Sequence, residues 1–397
     1  MNGTHFPSAS TWSPLFLLRV SVVNMSESET PLPPKVAERL LIDLWPSVAG
    51  DRAIERVLAT TAGRAQLARM VAEASPQAAV ECYFLDAYQL GLAERACEED
   101  AARPKPENLA WRCSADLVES PMSGESPHYD VVALPLSSRG DAELTREQLQ
   151  QAYQSLRADG LLLASTDNPR DVWLHEMTQS LGGKVRRYGP SEGCEDGAVY
   201  AVRATGPLKR PRDFTAEFVF RDGERLFPAV TRPGVFSHRR VDPGARRLME
   251  AMTVTAGMRV LDIGCGWGTV AVAAAARAED VTVAALDSSA RAVACTTLNA
   301  QRNGVGDRVT ALCEPAGPDV IESPGTFDVA LANPPYYADF RIAEAFVDAA
   351  HAALRPGGDL LVVTKLPQWY RERLPERFAD VAEVLVKNYT VFRTTKR

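Results

Sequence analysis

The chain is short of what several function classes need. Its seven cysteines (Cys82, Cys97, Cys113, Cys194, Cys265, Cys295, Cys313) are scattered, odd in number and without any C-x-x-C spacing. That pattern argues against a zinc site or a disulfide frame, and for reduced thiols in a cytoplasmic protein with no bound metal. Long apolar runs are missing too. The stretch "LFLLRVSVV" (15–23) is broken by Arg19 and lacks the basic n-region and small-residue cleavage site of a signal peptide, and it is too short to span a bilayer, so no membrane association is expected. Nor is basic charge in excess: 44 Lys and Arg face 51 Asp and Glu, a net charge of −7. Contact with a polyanion must then come from a local patch. One stretch qualifies, since residues 203–247 hold eleven Lys/Arg against five Asp/Glu, with "LKRPR" and "HRRVDPGARR" among them. A solvated hairpin face would carry the same charges.

What is present is an ordinary globular composition, 46% hydrophobic and 24% charged over 397 residues, long enough for two domains. Residues 1–30 read as a disordered leader, with Met25 as an alternative start. Beyond them the chain repeats itself. "YDVVALPLSSRGDAELTREQLQQAYQSLRADGLLLAST" (129–166) superposes without a gap on "FDVALANPPYYADFRIAEAFVDAAHAALRPGGDLLVVT" (327–364), and 55–89 aligns with 258–290 after a two-residue adjustment. Both copies read as buried strand, loop, amphipathic helix, glycine stop and buried strand, so the expected fold is α/β, with two tandem doubly wound domains. The copies differ where chemistry would sit. Asp262, Gly264, Gly266 and Gly268 stand where the first copy has Ala59, Thr61, Gly63 and Ala65, and Asn333 and Pro334 stand where it has Pro135 and Leu136.

"VLDIGCGWGT" (260–269) is an apolar strand entering a glycine-rich turn before an alanine-rich helix, the place where an open α/β sheet binds nucleotides. Glycine is required where the backbone takes positive φ or must approach a ligand closely. About 25 residues on, "VAALD" (283–287) ends a second strand in Asp287, which can accept hydrogen bonds from both hydroxyls of a ribose. The fourth strand then runs into "NPPYY" (333–337). Two consecutive prolines cannot donate to a ladder, so the strand stops at Asn333 and a polar group is fixed at its end.

The glycine spacing, with Asp262 placed to reach a cationic amino group, resembles the class I S-adenosylmethionine-dependent methyltransferases, and Asn-Pro-Pro-aromatic resembles the motif of those acting on a planar amino nitrogen. The residue types suit that chemistry. A conjugated amine has a delocalised lone pair. The Asn333 side-chain carbonyl and the Pro334 backbone carbonyl can take both of its N–H bonds and favour the geometry in which the lone pair faces the methyl group, a matter of positioning. Tyr336, with Tyr337 as second candidate, offers a stacking face for a flipped-out base.

With "RPGVFSHRRVDPGARRLMEAM" (232–252) ahead of the cofactor strand and "NYTVFRTTKR" (388–397) at the end, the chain resembles the bacterial ribosomal RNA guanine-N2 methyltransferases, in which a degenerate methyltransferase-like domain precedes an active one. The resemblance implies a disordered leader (1–30), a degenerate domain that recognises RNA or the ribosomal subunit (31–205), and a catalytic domain (206–397) opening on a basic hairpin (206–250), its sheet seven-stranded and mostly parallel. It implies Asp262, Gly264, Gly266, Gly268, Asp287, Glu314 and Asn333 around S-adenosylmethionine, and Asn333, Pro334 and Tyr336 around the target amine. The partner would be ribosomal RNA or a ribosomal subunit, met by a monomer. Two other acceptors, adenine N6 and a protein glutamine amide, suit the same loop, and a non-catalytic RNA-binding assembly factor is the reading from a different class.

Overall fold

Strand by strand, the repeat seen in the sequence recurs in space. The computed structural model describes residues 32–50, 53–100, 103–118, 129–315, 324–335 and 340–397. The expected leader lies outside them. After α1 (Val36–Ala49) the first half runs β1 (Arg56–Thr60), α2 (Gln66–Ala74), β2 (Ala79–Phe84), α3 (Ala87–Glu99), β3 (Leu109–Cys113), β4 (Tyr129–Leu136), α4 (Ala142–Gln154), β5 (Leu156–Thr166), α5 (Trp173–Ser180), β6 (Lys184–Tyr188) and β7 (Ala198–Arg203). A hairpin of β8 (Ala216–Asp222) and β9 (Arg225–Thr231) leads to α6 (Pro243–Ala251). The second half runs β10 (Arg259–Ile263), α7 (Thr269–Arg277), β11 (Thr282–Asp287), α8 (Ala290–Arg302), β12 (Val309–Cys313), β13 (Phe327–Ala332), α9 (Arg341–Ala353), β14 (Leu354–Thr364), α10 (Pro367–Arg377), β15 (Phe378–Val386) and β16 (Tyr389–Lys396).

Both sheets have seven strands in the same order, β3-β2-β1-β4-β5-β7-β6 and β12-β11-β10-β13-β14-β16-β15. The first five strands of each are parallel, while β7 and β16 run antiparallel to their neighbours. The expected tandem doubly wound fold is borne out. The upstream correspondence is simpler than the sequence alignment made it: β1 starts at 56 and β10 at 259, α3 at 87 and α8 at 290, a shift of 203 in each case with no two-residue adjustment. Asp86 therefore matches Ser289, and Asp287 matches Phe84.

Parallel strands covered on both faces read as continuous apolar runs. Val260 of β10 faces the cluster formed with α6, α7 and α8, and its neighbour Leu261 faces the opposite one formed with α9 and α10. Val57 and Leu58 divide in the same way in β1. The hairpin is fastened beneath the second sheet. Phe218 and Phe220 meet the Trp267 ring edge-on, and the Asn299 amide bonds Val230 at both N–H and C=O while donating to the Trp267 carbonyl at 2.8 Å.

The two halves meet at the tips of corresponding strands. Asp86 and Ser289, the N-caps of α3 and α8, form an antiparallel bridge, with Ala87 N donating to Ser288 O and Ala290 N to Leu85 O. Cys113 and Cys313 stand at the ends of β3 and β12, and the Cys313 thiol donates to Ser288 O at 3.5 Å. Beside them lies an ionic core. Arg291, fully buried, reaches Glu147 (2.5 Å), Pro233 O (2.9 Å) and Ala115 O (2.8 Å), and Arg232 shares Glu147 and Asp116.

Candidate active site

The central strand β10 delivers Asp262 into the protein, paired in register with Ala285 on one side and Leu331 on the other. Its carboxylate is 3% exposed and has the Ala271 N–H as a stabilising neighbour, yet Oδ2 has no hydrogen-bond partner among the described residues. Burial, reinforced by the charge of Asp287, pushes its pKa up to about 7 against the Ala271 bond. An unsatisfied buried acceptor of this kind matches a cationic donor such as an ammonium.

The turn that follows holds Gly264, Gly266 and Gly268 at φ of 74°, 58° and 88°. At Gly264 the requirement is doubled, because a Cβ would also lie 2.8 Å from the Phe346 ring. Gly264 N and Cys265 N both donate to Leu286 O, which ties the turn to the tip of β11. There the Asp287 carboxylate accepts from Gly266 N (2.8 Å) and Ser289 N (2.9 Å). Its pKa is nevertheless raised to about 6, chiefly by burial and in smaller part by Asp86 of the first half. Glu314 follows β12, its N–H donating to Asp287 O at 3.0 Å. Asp262, the glycine turn, Asp287 and Glu314 are thus brought together at the carboxyl ends of β10, β11 and β12, where ligands bind in an open α/β sheet.

β13 ends at Ala332 as expected, and Asn333 and Pro334 leave it next to β10. In the first half the equivalent Pro135 and Leu136 stay in strand, paired with Ser165 and Thr166. Asn333 Nδ2 donates to Asp242 Oδ2 at 2.9 Å, a partner 91 residues away. Tyr336 and Tyr337 lie outside the described residues. Sequence reasoning missed Asp242 and also Thr296, whose hydroxyl donates to Gly266 O at 3.0 Å and backs the turn from α8. The signal for Asp242 was present as an Asp-Pro-Gly start to a helix, which reads as a cap and nothing more.

The first half keeps the shape of this turn without its chemistry. Ala65, matching Gly268, still adopts φ of 59°. Ala59 and Phe84 stand for the two aspartates, and the fully buried Glu38 of α1 fills the turn, accepting from Leu67 N (3.0 Å), Ala62 N (3.3 Å) and the Thr61 hydroxyl.

The strand order and the glycine turn are those of an open α/β sheet with a ligand site at its carboxyl edge, and residues 227–393 match the family described as methyltransferase small domain. More particular relatives follow. The chain is 31% identical over 188 residues to "Ribosomal RNA small subunit methyltransferase C" of Pseudomonas entomophila, a match covering 46% of this chain and 54% of that protein. It is 29% identical to the protein of the same name from Pseudomonas putida, over 68% of this chain and 84% of that one. The first match thus spans about half of its relative's length. Among solved structures, the T. thermophilus 16S rRNA N2 G1207 methyltransferase in complex with AdoMet and guanosine superposes with a TM-score of 0.71 at 23% identity, covering 93% of this chain and 98% of that one. That likeness shows the fold of both halves. Among the described residues no helix is long and apolar enough to cross a membrane and no cluster could hold a metal ion.

The raised pKa of Asp262 carries a stability prediction with a definite sign. Its folded value of about 7 exceeds the ordinary value of 3.8, so between these pH values the folded chain holds a proton that the unfolded chain has lost. Stability contributed by the neutral form is present at low pH and is lost as pH rises through 7. Asp262→Asn is therefore expected to raise the melting temperature of the ligand-free protein by a few degrees at pH 8, the gain shrinking toward pH 4, while affinity for a cationic ligand falls. Differential scanning calorimetry across this range checks it, and an unchanged melting temperature at pH 8 would mean the carboxylate is not strained.

Proposed function

We propose that the protein transfers a methyl group from S-adenosylmethionine to the exocyclic N2 amine of a guanine in ribosomal RNA, with residues 206–397 as the catalytic domain and residues 31–205 as a degenerate copy that helps hold RNA or the ribosomal subunit in the cytoplasm. The observation that carries the reading is that the Asn333-Pro334 strand end leaves β13 directly beside β10, next to Asp262 and the glycine turn. The residues there fit the cofactor: among the described residues Asp262 Oδ2 lacks a partner, and a Cβ added at Gly266 would meet no atom within 4 Å. Asp262 would hold the amino group, Asp287 the ribose hydroxyls and Glu314 the adenine side. When bound, S-adenosylmethionine supplies an electrophilic methyl group on a sulfonium.

The chain's own work is then positioning. Asn333 Oδ1 and Pro334 O accept the two N–H bonds of the target amine, turning its lone pair toward the cofactor cleft. No general base is needed to start the attack: the nitrogen would become acidic only once it carries the methyl group, the sulfur keeping the electron pair of the broken bond as a thioether, and the surplus proton would then leave to water from an N–H held by Asn333 Oδ1 or Pro334 O. The filled turn of the first half, with Glu38 on its amides, supports a single working cleft. Exposed Lys209, Arg210, Arg212 and Arg240 supply a basic surface ahead of the catalytic domain, while Arg232 and Arg239 are engaged with acidic residues of the first half. The T. thermophilus protein of the same fold is an N2 G1207 methyltransferase of 16S rRNA, which favours guanine N2 over adenine N6 or a glutamine amide.

Mass spectrometry of ribosomal RNA nucleosides from cells lacking the protein tests the proposal. One N2-methylguanine, mapped to one fragment, should disappear. An intact N2-methylguanine complement, with loss of an N6-methyladenine or of a methylated glutamine in a protein, would move the activity to another acceptor.

A further inference from the structure

We infer that Asp242 is the positioning residue that fixes the orientation of the Asn333 amide, so that its carbonyl and not its NH2 meets the target amine. The inference rests on the methyl-transfer reading and adds a residue to it. Asp242 Oδ2 accepts two bonds, from Ala245 N at 3.0 Å as the N-cap of α6 and from Asn333 Nδ2 at 2.9 Å. A carboxylate is an acceptor only, so the side of Asn333 that faces it must be the NH2. The carbonyl oxygen is thereby assigned to the position beside Gly244. A free amide has no such preference. Turned over, it would present N–H donors to an amine that is itself a donor, and transfer would stop. The charge on Asp242 also polarises the amide, making Oδ1 a stronger acceptor.

The backbone beside it has been cleared for this contact. Pro243 brings no N–H that could compete for Oδ2. A Cβ added to Gly244 would lie 2.7 Å from Asn333 Oδ1 and 2.8 Å from Asp242 Oδ2, so any side chain there would push the pair apart. A helix start accounts for Asp242 and Pro243 but not for Gly244, since the first turn of a helix does not need glycine.

The test uses the full chain and three variants, with S-adenosylmethionine affinity by calorimetry, thermal unfolding, kcat and KM on unmodified ribosomal RNA transcribed in vitro, and the side-chain amide signal of Asn333 by ¹⁵N NMR. Asp242→Ser keeps a capping oxygen but is too short to hold Asn333. It should fold and bind the cofactor within about twofold of wild type, lose about 100-fold in kcat, and lose the protection of the Asn333 NH2 protons from exchange. Asp242→Asn, which can still accept from both donors, should recover about tenfold of that loss. Gly244→Ala should reproduce the Ser variant. Retention of kcat within threefold by the Ser variant would overturn the inference, as would equal loss of cofactor binding and activity in all three, which would make Asp242 a folding residue. If the wild-type chain methylates no RNA while its Asn333 NH2 is protected and the Ser variant's is not, the functional reading fails and the orientation stands.

Discussion

Asn333→Ala is expected to lower kcat by about a thousandfold or more while the Kd for S-adenosylmethionine stays within about threefold of wild type. The substitution removes one of two acceptors for the amine and leaves Asp262, the glycine turn and Asp287 untouched. Its cost to stability is small. Asp242 Oδ2 keeps the Ala245 N–H, so the lost bond is worth about 1 kcal/mol. Single-turnover kinetics with calorimetry separates the two effects. Asn333→Asp should do no better, since a second carboxylate facing Asp242 at hydrogen-bond distance repels it unless one of them holds a proton. Equal loss of affinity and rate in the alanine variant would show that Asn333 supports the cofactor turn instead.

Much of this site could be read from the chain because its elements are local. A strand running into spaced glycines, an acidic strand tip and two prolines after an asparagine each declare themselves within ten residues, and the repeat supplies the order in which the strands must pair. The contacts that complete the site are not local. Asp242 and Asn333 lie 91 residues apart, and the Asp-Pro-Gly sequence satisfies a helix start so well that nothing in it asks for a second partner. Glu38 gives no sign in sequence that it will occupy the turn of the first copy, since a glutamate early in a helix is ordinary. The basic stretch misleads for the opposite reason. Composition counts Arg232 and Arg239 as surface charge, whereas the fold spends both on Asp116, Glu147 and Glu143. A two-residue adjustment sets Asp86 against Asp287 in sequence, whereas the common strand and helix starts set it against Ser289.

Glu147→Ala is expected to destabilise the whole chain by about 3–5 kcal/mol, a large part of the 5–15 kcal/mol that holds a typical domain. Glu147 is the partner of two arginines at once, Arg291 at 2.5 Å and Arg232 at 2.8 Å. Arg291 is fully buried, so its charge cannot recover water when the Glu147 carboxylate is removed, and it is left with the more distant Asp116 at 3.7 Å, already held by Arg232, and the carbonyls of Ala115 and Pro233. Chemical denaturation should show one cooperative transition in the wild type, because Arg291 sits on α8 of the second half and Glu147 on α4 of the first. Glu147→Gln, which keeps the acceptor and loses the charge, should cost about half as much. Loss of less than 1 kcal/mol in the alanine variant would mean that the ionic core does not hold the halves together. The same reasoning bears on residues 206–397 expressed alone: they would expose Arg291 and the tips of β11 and β12 without their partners. A poor yield or weak activity of that fragment would then measure the loss of a shared core, and it could not be credited to a lost grip on RNA. A grip of the basic connection on RNA is better tested in the intact chain, by replacing exposed Lys209, Arg210 and Arg212 and reading the salt dependence of KM, whose slope should fall by roughly one for each phosphate contact removed.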